Sequence, residues 1–232
     1  MEAKPQPQFV SFSFYKLDPA FRRLDRASKQ SGKEEFASVV REYDGQLIVR
    51  SYSTVGLRAD AELLLWRIAS NLDLLQDMQA RLFATELGRY LSLTHSFLAV
   101  TRRSIYVEHH QHPGSEGSRI KLVPSGAKYL FVYPFVKTRE WYQLSKHARQ
   151  GMMDEHIEVG HRYPSVKLNT TYSFGLDDQE FVVAFESDSP TDFVDLVMEL
   201  RETEASRYTL RDTPIFTCIA QPIEKALDLM VG

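Results

Sequence analysis

The chemically richest part of this sequence is the segment from Lys128 to Tyr163, which brings a phenol, an amine and an imidazole close together along the chain. Tyr133 and Lys137 lie four residues apart on a predicted strand, so their side chains point to the same face of that strand. His156 follows on a predicted helix. A redox-capable phenol, a cation and one imidazole in this order indicate a site for a bound cofactor.

Each of these three residues also has a purely structural interpretation. A neutral imidazole is the usual protein ligand of heme iron, but His156 could equally be a solvent-facing or capping histidine. Tyr133 could be a core aromatic with a bonded hydroxyl, and Lys137 a strand-end cation that extends to solvent. His161 lies five residues beyond His156 and there is no HExxH motif, so the sequence does not predict a two-histidine metal site.

The remaining candidate metal ligands give a weaker signal. His109, His110 and His112 fall in a polar connector rich in Gly and Pro, with no carboxylate or thiolate set at ligand spacing, and we interpret them as loop histidines. Cys218, the single cysteine, lies in an apolar strand and is predicted to be a small buried hydrophobe. One cysteine excludes an internal disulfide and a multi-cysteine metal site.

Composition places the chain among ordinary globular proteins. Its 232 residues are 43% hydrophobic and 25% charged, enough for one large domain or two fused small ones. The net charge of −3 argues against a nucleic-acid partner. No apolar run reaches the ~20 residues of a membrane span, and the N-terminal residues carry no secretory pattern. We therefore expect a cytoplasmic protein without a membrane span.

An internal repeat organises the chain. Val55–Trp66 and Phe174–Phe185 both read as a strand end, a glycine turn with acidic residues and an apolar strand, with an offset of 119 between the glycines. Further on, Arg89 and Arg207 lie in similar segments at an offset of 118. Upstream, the segment Val10–Lys16 parallels Phe131–Lys137 at an offset of 121. Three matches at nearly one spacing predict two copies of one structural unit.

Each copy has the β-α-β-β-α-β pattern of a split βαβ, ferredoxin-like unit. The predicted strands are Phe9–Leu17, Leu47–Val55, Ala61–Ile68, Ser96–Arg103, Tyr129–Val136, Val166–Phe174, Glu180–Ser187 and Thr213–Ala220. The predicted helices are Pro19–Tyr43, Asn71–Leu91, Trp141–Val159 and Ser189–Glu204. The fold class is therefore α+β, with two fused ferredoxin-like (βαββαβ) halves forming a dimeric α+β barrel-type chain. The predicted boundaries are 1–108, a connecting loop at 109–127, and 128–232.

The second half resembles the chlorite dismutase superfamily, and within it the coproheme decarboxylases. The family pattern is Tyr-Pro-x-x-Lys, then Trp-Tyr, then Met-Met-x-x-His-x-x-x-Gly-x-x-Tyr, then Gly-x-Asp-Asp. In this sequence the matching segments are Tyr133–Lys137, Trp141–Tyr142, Met152–Tyr163 and Gly175–Asp178. The resemblance covers roughly Arg119 to Cys218 and includes the doubled ferredoxin-like plan.

This resemblance assigns an expected role to each site residue. His156 would be the axial ligand of the heme iron, Tyr133 the radical that attacks a porphyrin propionate, and Lys137 the residue that positions that propionate or assists proton movement. The further residues expected to bind the cofactor are Trp141 and the propionate-contacting Arg119, Arg201 and Ser206. Glu204 is a candidate hydrogen-bond partner for the ring of His156.

The sequence departs from the family pattern on the expected distal side of the iron. Chlorite dismutases carry an arginine there and the decarboxylases usually a glutamine, whereas this chain has Leu168 or Asn169. The absence of an arginine at this position argues against chlorite decomposition. The expected function is peroxide-dependent oxidative decarboxylation of iron coproporphyrin III to heme b. The alternatives are a chlorite dismutase-like heme peroxidase, a non-catalytic heme-binding or heme-transfer protein, and a homologue that has lost heme.

The resemblance also implies partners. Iron porphyrin and hydrogen peroxide would be the small-molecule partners, with the heme acting as substrate and cofactor together. The family assembles into rings, usually pentamers, so a homo-oligomer is expected.

Overall fold

The computed structural model describes residues 6–104, 106 and 121–232, so His109, His110, His112 and Arg119 lie outside the described residues. The chain divides into two compact units. The first unit is Met1–Val100 together with Thr217–Gly232, and the second unit is Thr101–Phe216. The contacts thus group the C-terminal segment with the first unit, although the sequence placed the whole of 128–232 in the second half.

Helices and strands alternate in the order that the repeat predicts. The strands are β1 (Phe9–Leu17), β2 (Ile48–Ser53), β3 (Leu63–Ala69), β4 (Leu91–Val100), β5 (Tyr129–Lys137), β6 (Val166–Tyr172), β7 (Phe181–Ser187), β8 (Thr209–Arg211) and β9 (Phe216–Ala220). The helices are α1 (Pro19–Arg22), α2 (Arg26–Glu42), α3 (Leu72–Ala84), α4 (Arg139–Gln143), α5 (Lys146–His161), α6 (Pro190–Glu202) and α7 (Ile223–Val231). Short 3₁₀ turns span Gly88–Tyr90 and Glu204–Tyr208.

Both units contain antiparallel sheets. In the first unit the strands are ordered β4-β1-β3-β2-β9. In the second unit β6, β7 and β5 pair in that order, and the short β8 pairs with the other edge of β5. The α+β class and the two ferredoxin-like halves are thereby confirmed. Within the described ranges, no helix is long and apolar enough to cross a membrane.

Local sequence explains why two of the predicted helices are broken. Asp25 accepts a hydrogen bond from the backbone N–H of Ser28 at 2.9 Å, so a new helix begins directly after it and separates α2 from α1. Ser145 does the same for Ala148 at 3.2 Å and separates α5 from α4. The helix α7 was not predicted, although its buried stripe of Ile223, Ala226, Leu227, Met230 and Val231 has helical spacing.

The two units repeat the same hydrogen bonds where a strand turns into a helix. In the first unit the backbone N–H of Leu17 donates to Glu62 Oε2 at 3.0 Å, and in the second unit the N–H of Lys137 donates to Glu180 Oε2 at 2.8 Å. This pairing aligns Leu17 with Lys137 at an offset of 120. The sequence alignment of Lys16 with Lys137 was therefore wrong by one residue.

The core of the second unit lies between its sheet and the helices α5 and α6. It consists of Phe131, Val159, Val166, Phe185, Phe193 and Leu196. The ring of Phe193 on α6 stacks on that of Phe131 on β5, with 4.0 Å between the ring centroids. One face of β5, β6 and β7 is therefore buried against helices, and the same face carries Tyr133.

Replacing Phe193 with alanine tests this packing. We expect Phe193→Ala to lower the free energy of unfolding by about 3–5 kcal/mol, because it opens a cavity against a stacked ring. Val194→Ala is the matched control, since Val194 is next in sequence but 54% exposed, and it should change stability by less than about 1 kcal/mol. Guanidinium unfolding followed by near-ultraviolet circular dichroism measures both. Equal effects of the two substitutions would contradict the assignment of Phe193 to the core.

Candidate functional site

Strand register decides which side chains share the helix-facing side of the second sheet. Tyr133 on β5 lies opposite Val183 on β7, which in turn lies opposite Thr170 on β6. One row along, Phe185 lies opposite Leu168. Because directly opposed residues project to the same face of a sheet, Leu168 shares the face of Tyr133.

Asn169 projects to the opposite face. Its Nδ2 donates to Glu186 Oε2 at 2.9 Å, and the Glu186 side chain is 1% exposed. The same carboxylate accepts hydrogen bonds from the backbone N–H groups of Ser125 and Gly126. Asn169 is thus held in a buried polar cluster, and of the two distal candidates only Leu168, which is 43% exposed, lies on the face that carries Tyr133.

Lys137 is fixed at the C-terminal end of β5. Its Nζ donates to the backbone carbonyl of Ala205 at 2.8 Å and lies 4.5 Å from the ring centroid of Trp141. Burial lowers the pKa of Lys137 to about 8, against the opposing effect of the Glu180 charge. The contact with the electron-rich Trp141 ring favours the ammonium form of the side chain. Lys137 is therefore an immobilised cation that can still change its protonation state near physiological pH.

His156 on α5 presents a buried imidazole. Burial, together with the positive charge of Lys137, lowers the pKa of His156 to about 4, and the charge of Glu155 only partly offsets this. Among the residues that the structure describes, His156 Nδ1 has no hydrogen-bond partner although it is shielded from solvent. A buried polar atom without a partner is costly in a folded protein. The neutral ring is also the protonation state in which histidine binds metals.

Tyr133 is held as a neutral phenol. Its ring stacks on Phe185 with 6.1 Å between the centroids. Burial raises the pKa of Tyr133 well above its usual value; the charge of Asp212 adds to this effect and that of Arg201 opposes it. A phenol that keeps its proton at neutral pH can give up a hydrogen atom, but it does not act as a phenolate base.

Arg201 and Tyr133 line the same cavity of about 180 Å³, whose other walls are mainly apolar side chains of α6. The half-exposed guanidinium of Arg201 pairs with Asp212, and Ser206 Oγ donates to the Arg201 carbonyl at 2.6 Å. The structure therefore places an arginine at the mouth of the space above Tyr133, with Ser206 directly beside it. A carboxylate bound there would compete with Asp212 for the guanidinium of Arg201.

The predicted residues are thus gathered around the helix-facing side of the second sheet, with two exceptions. Asn169 lies on the other side, and Arg119 lies outside the described residues. Glu204 also fails as the partner of the His156 ring within the described chain. Its backbone N–H donates instead to Glu155 Oε2 at 3.0 Å, and the His156 Nδ1 atom stays unpaired.

Sequence reasoning missed two groups that hold the site in place. Glu180 accepts from the N–H of Lys137 and also from the hydroxyl of Tyr142 at 2.6 Å, so it ties β5 to α4. The carbonyl of Ala205 binds the Lys137 ammonium. A backbone acceptor leaves no signal in a sequence, but the position of Glu180 in the repeat, matching Glu62, could have identified it.

Fold and site together define a class: an α+β protein of two ferredoxin-like halves, one of which contains a neutral buried imidazole on a helix and a tyrosine on its sheet. Comparison with known proteins gives the class its name. The sequence profile of the chlorite dismutase family matches residues 29–221. The chain belongs to the chlorite dismutase family.

Individual relatives span two named activities. A coproheme decarboxylase from Mycolicibacterium smegmatis is 32% identical over 212 residues, covering 90% of this chain and 88% of the relative. A chlorite dismutase from Ideonella dechloratans is 26% identical over 220 residues, covering 93% and 77%. Among solved structures, a chlorite dismutase variant from Candidatus Nitrospira defluvii superposes with a TM-score of 0.88 at 26% identity, covering 97% of this chain and 96% of that one.

The protonation of His156 can be measured directly. We expect its imidazole to titrate near pH 4 in the ligand-free protein, and Lys137→Met to raise this midpoint while leaving it below the ordinary value of about 6.5. Lys137→Arg retains the charge and should keep the midpoint low. Histidine ring resonances followed by NMR between pH 3 and about 8 give the midpoints.

The same shift has a consequence for stability. The unfolded imidazole takes up a proton near pH 6.5, before the folded one does, so the contribution of His156 to stability is complete above this pH and falls as the pH drops from about 6.5 towards 4. A His156 midpoint near 6.5 in the unmodified protein would contradict the buried, neutral assignment.

Proposed function

We propose that this protein binds an iron porphyrin through His156 and catalyses the peroxide-dependent oxidative decarboxylation of iron coproporphyrin III to heme b. The observation that carries the proposal is the buried, neutral and unpartnered imidazole of His156, which lies within electrostatic reach of Lys137 in the unit whose sheet carries Tyr133. Relatives named coproheme decarboxylase, at 32% identity over most of both chains, support the choice of reaction.

The residues present fit an iron porphyrin that carries carboxylates. His156 supplies a neutral nitrogen donor that has no other partner in the described chain. Arg201 supplies a cation that lines the apolar cavity, and Lys137 supplies a second one beside the Trp141 ring. Cations of this kind bind propionates through charge-assisted hydrogen bonds. The apolar side chains of α6 that line the cavity would contact the porphyrin plane.

The reaction balances as an oxidation by peroxide. Each propionate loses carbon dioxide and one hydrogen from its chain and becomes a vinyl group, while hydrogen peroxide and one proton become two molecules of water. The iron, when bound, would react with peroxide, and the protein would orient the porphyrin and supply the proton. Two propionates react in turn, so two molecules of peroxide are consumed for each heme b.

In the proposed mechanism Tyr133 transfers the oxidising equivalent to the propionate. Its phenol would lose a hydrogen atom to the oxidant that peroxide provides, and the resulting radical would remove a hydrogen atom from the propionate chain, which restores the phenol. The substrate radical would then lose a second electron to the same oxidant as the bond to the carboxylate breaks, so that carbon dioxide leaves and a vinyl group remains. Because burial keeps Tyr133 protonated, the phenol is in the form that this step requires at neutral pH. Stacking on Phe185 fixes the ring on the helix-facing side of the sheet.

Lys137 would hold the carboxylate that is about to leave. At neutral pH the side chain is mostly an ammonium, since its pKa is about 8, and one of its N–H groups is used by the carbonyl of Ala205. The remaining donors are free to bind a propionate and to deliver the proton that the overall reaction consumes. Trp141, whose ring contacts the Lys137 ammonium, would also line the site. Arg119, Arg201 and Ser206 would bind further propionates.

A second candidate function is heme binding without catalysis. It is favoured by Leu168, whose side chain lies on the face of Tyr133 and offers no hydrogen bond to an oxygen ligand. The same residue disfavours chlorite decomposition, because a leucine cannot provide the cation that an arginine would. Product analysis separates the two remaining candidates, since a carrier returns the porphyrin with its mass unchanged.

The proposal also includes the assembly and location of the protein. We expect a homo-oligomer in the cytoplasm, of pentameric form as is usual for the family.

Removal of the proposed iron ligand tests binding. We expect His156→Ala to weaken iron coproporphyrin III binding by more than about 100-fold and to shift the Soret band, because even partners one step removed from a metal contribute about 10–100-fold. His147→Ala is the matched control, since His147 is exposed on the same helix. Titration followed by absorbance measures both. An unchanged Soret band and affinity in His156→Ala would remove this residue as the ligand.

Removal of the phenol tests catalysis separately from binding. Tyr133→Phe should bind iron coproporphyrin III with an affinity close to that of the unmodified protein. It should lose both decarboxylations after peroxide is added, because phenylalanine has no hydroxyl hydrogen to give. Tyr129→Phe removes a phenol from the same strand, four residues earlier, and should remain active. Mass spectrometry of the porphyrin measures the loss of carbon dioxide. Full turnover by Tyr133→Phe would exclude the radical role.

A further inference from the structure

The first unit contains a buried guanidinium for which the described residues provide no counter-ion. Arg67 lies on β3, directly opposite Ser11 of β1, and is 3% exposed. Its Nη1 donates to the carbonyl of Leu75 on α3 at 3.3 Å, so the side chain lies on the helix-facing side of the sheet. Arg67 and the residues that it contacts belong to the first unit and are far in sequence from the proposed heme site.

Every acceptor that Arg67 contacts is neutral. Its Nη2 donates to Ser13 Oγ at 2.6 Å and to Ser11 Oγ at 3.2 Å. Across the described residues, no carboxylate lies within ion-pair distance of Arg67, and its buried Nε has no hydrogen-bond acceptor. A guanidinium keeps its charge inside proteins, and buried charges are normally paired.

Tyr15 cannot supply the missing negative charge. Its hydroxyl donates to Gln79 Oε1 at 2.5 Å and also interacts with Ser13, whose hydroxyl accepts a hydrogen bond from Arg67. Burial raises the pKa of Tyr15 even though the nearby Arg67 charge acts to lower it, so the phenol stays neutral. The positive charge of Arg67 is therefore not balanced by ionisation of its neighbour.

A second donor in the same hydrogen-bonded chain is also unused. Gln79 Nε2 is buried and, within the part of the chain that the structure covers, has no partner, while its Oε1 is occupied by Tyr15. The cluster thus leaves two donors unsatisfied, Arg67 Nε and Gln79 Nε2, together with one positive charge. Surplus donors around a cation match an anion and repel a metal ion.

The second unit shows that the shared fold does not require these polar residues. With the repeat aligned through Glu62 and Glu180, the counterpart of Arg67 is Phe185. The counterpart of Ser11 is Phe131, at the offset of 120 that relates Leu17 to Lys137. Phe131 and Phe185 belong to the apolar core of the second unit. A polar cluster with surplus donors is therefore a specific property of the first unit.

We propose that this arginine cluster, formed by Ser11, Ser13, Tyr15, Arg67 and Gln79, binds one small monovalent inorganic anion of the chloride class. The anion neutralises Arg67 and accepts hydrogen bonds from the two donors that are otherwise unsatisfied. A larger organic anion is excluded, because Ser11, Ser13, Tyr15 and Arg67 are all buried. The site acts on the stability of the first unit and takes no part in the proposed decarboxylation.

Thermal unfolding of the whole protein in sodium chloride and in sodium gluconate at equal ionic strength tests the proposal. Chloride should raise the melting temperature, by about 5 °C at roughly a hundredfold excess over the dissociation constant and further with the logarithm of its concentration, because it binds the folded state alone. Arg67→Met should fold, since an apolar side chain can replace a buried ion, and should melt at the same temperature in both salts. Arg50→Met, an exposed arginine on the neighbouring strand β2, is the matched control and should keep the chloride effect.

Two further measurements make the outcome decisive. Crystals soaked in bromide should show anomalous density beside Arg67, and Gln79→Leu should need a higher chloride concentration than the unmodified protein for the same rise in melting temperature. Equal melting temperatures of the unmodified protein in chloride and gluconate would overturn the proposal, as would a full chloride effect in Arg67→Met. If Arg67→Met does not fold, an unchanged chloride response in Gln79→Leu or absent bromide density would overturn it instead.

Discussion

Exclusion of water from the space between the second sheet and its helices controls the chemistry of the candidate site. Burial is the largest cause of the pKa shifts of Tyr133, Lys137 and His156, and in each case it disfavours the charged form. The imidazole and the phenol are consequently neutral. Lys137 remains mostly charged at neutral pH, and its ammonium is held by a carbonyl and an indole ring. Burial therefore accounts for the neutral imidazole and the neutral phenol, whereas the Lys137 ammonium persists against it through these two contacts.

The repeat shows how such a site can be built on one half of a doubled fold. Both units use a glutamate to bind the N–H at the end of the first strand, and both begin the following long helix with a polar cap. Aligned through these caps, the counterpart of His156 is the fully buried Phe36, and the counterpart of Lys137 is Leu17. The backbone is thus common to both units, while a few side chains decide that, at this pair of aligned positions, the second unit has an imidazole where the first has a phenyl ring.

Sequence reasoning identified most elements of the fold and proposed the residues of the candidate site, and its errors in the fold have physical explanations. Alternating and continuous apolar runs predicted the strands within a few residues, because burial against helices requires such patterns. The breaks after α1 and α4 were not predicted, because a residue that can cap a helix starts a new one only where its side chain forms the capping hydrogen bond. The grouping of α7 with the first unit depends on contacts between the two ends of the chain, which local patterns do not contain.

The sequence by itself determined the residue types, their order and the family, because motif spacing is a property of the chain alone. Only the tertiary structure decided between Leu168 and Asn169, since strand register fixes which of two adjacent side chains faces the helices. The neutral state of His156, the carbonyl that holds Lys137 and the burial of Arg67 away from every described carboxylate also required the fold. Each depends on solvent exclusion by segments distant in sequence, and the free energy of a buried polar group is set by the partners that those segments bring to it.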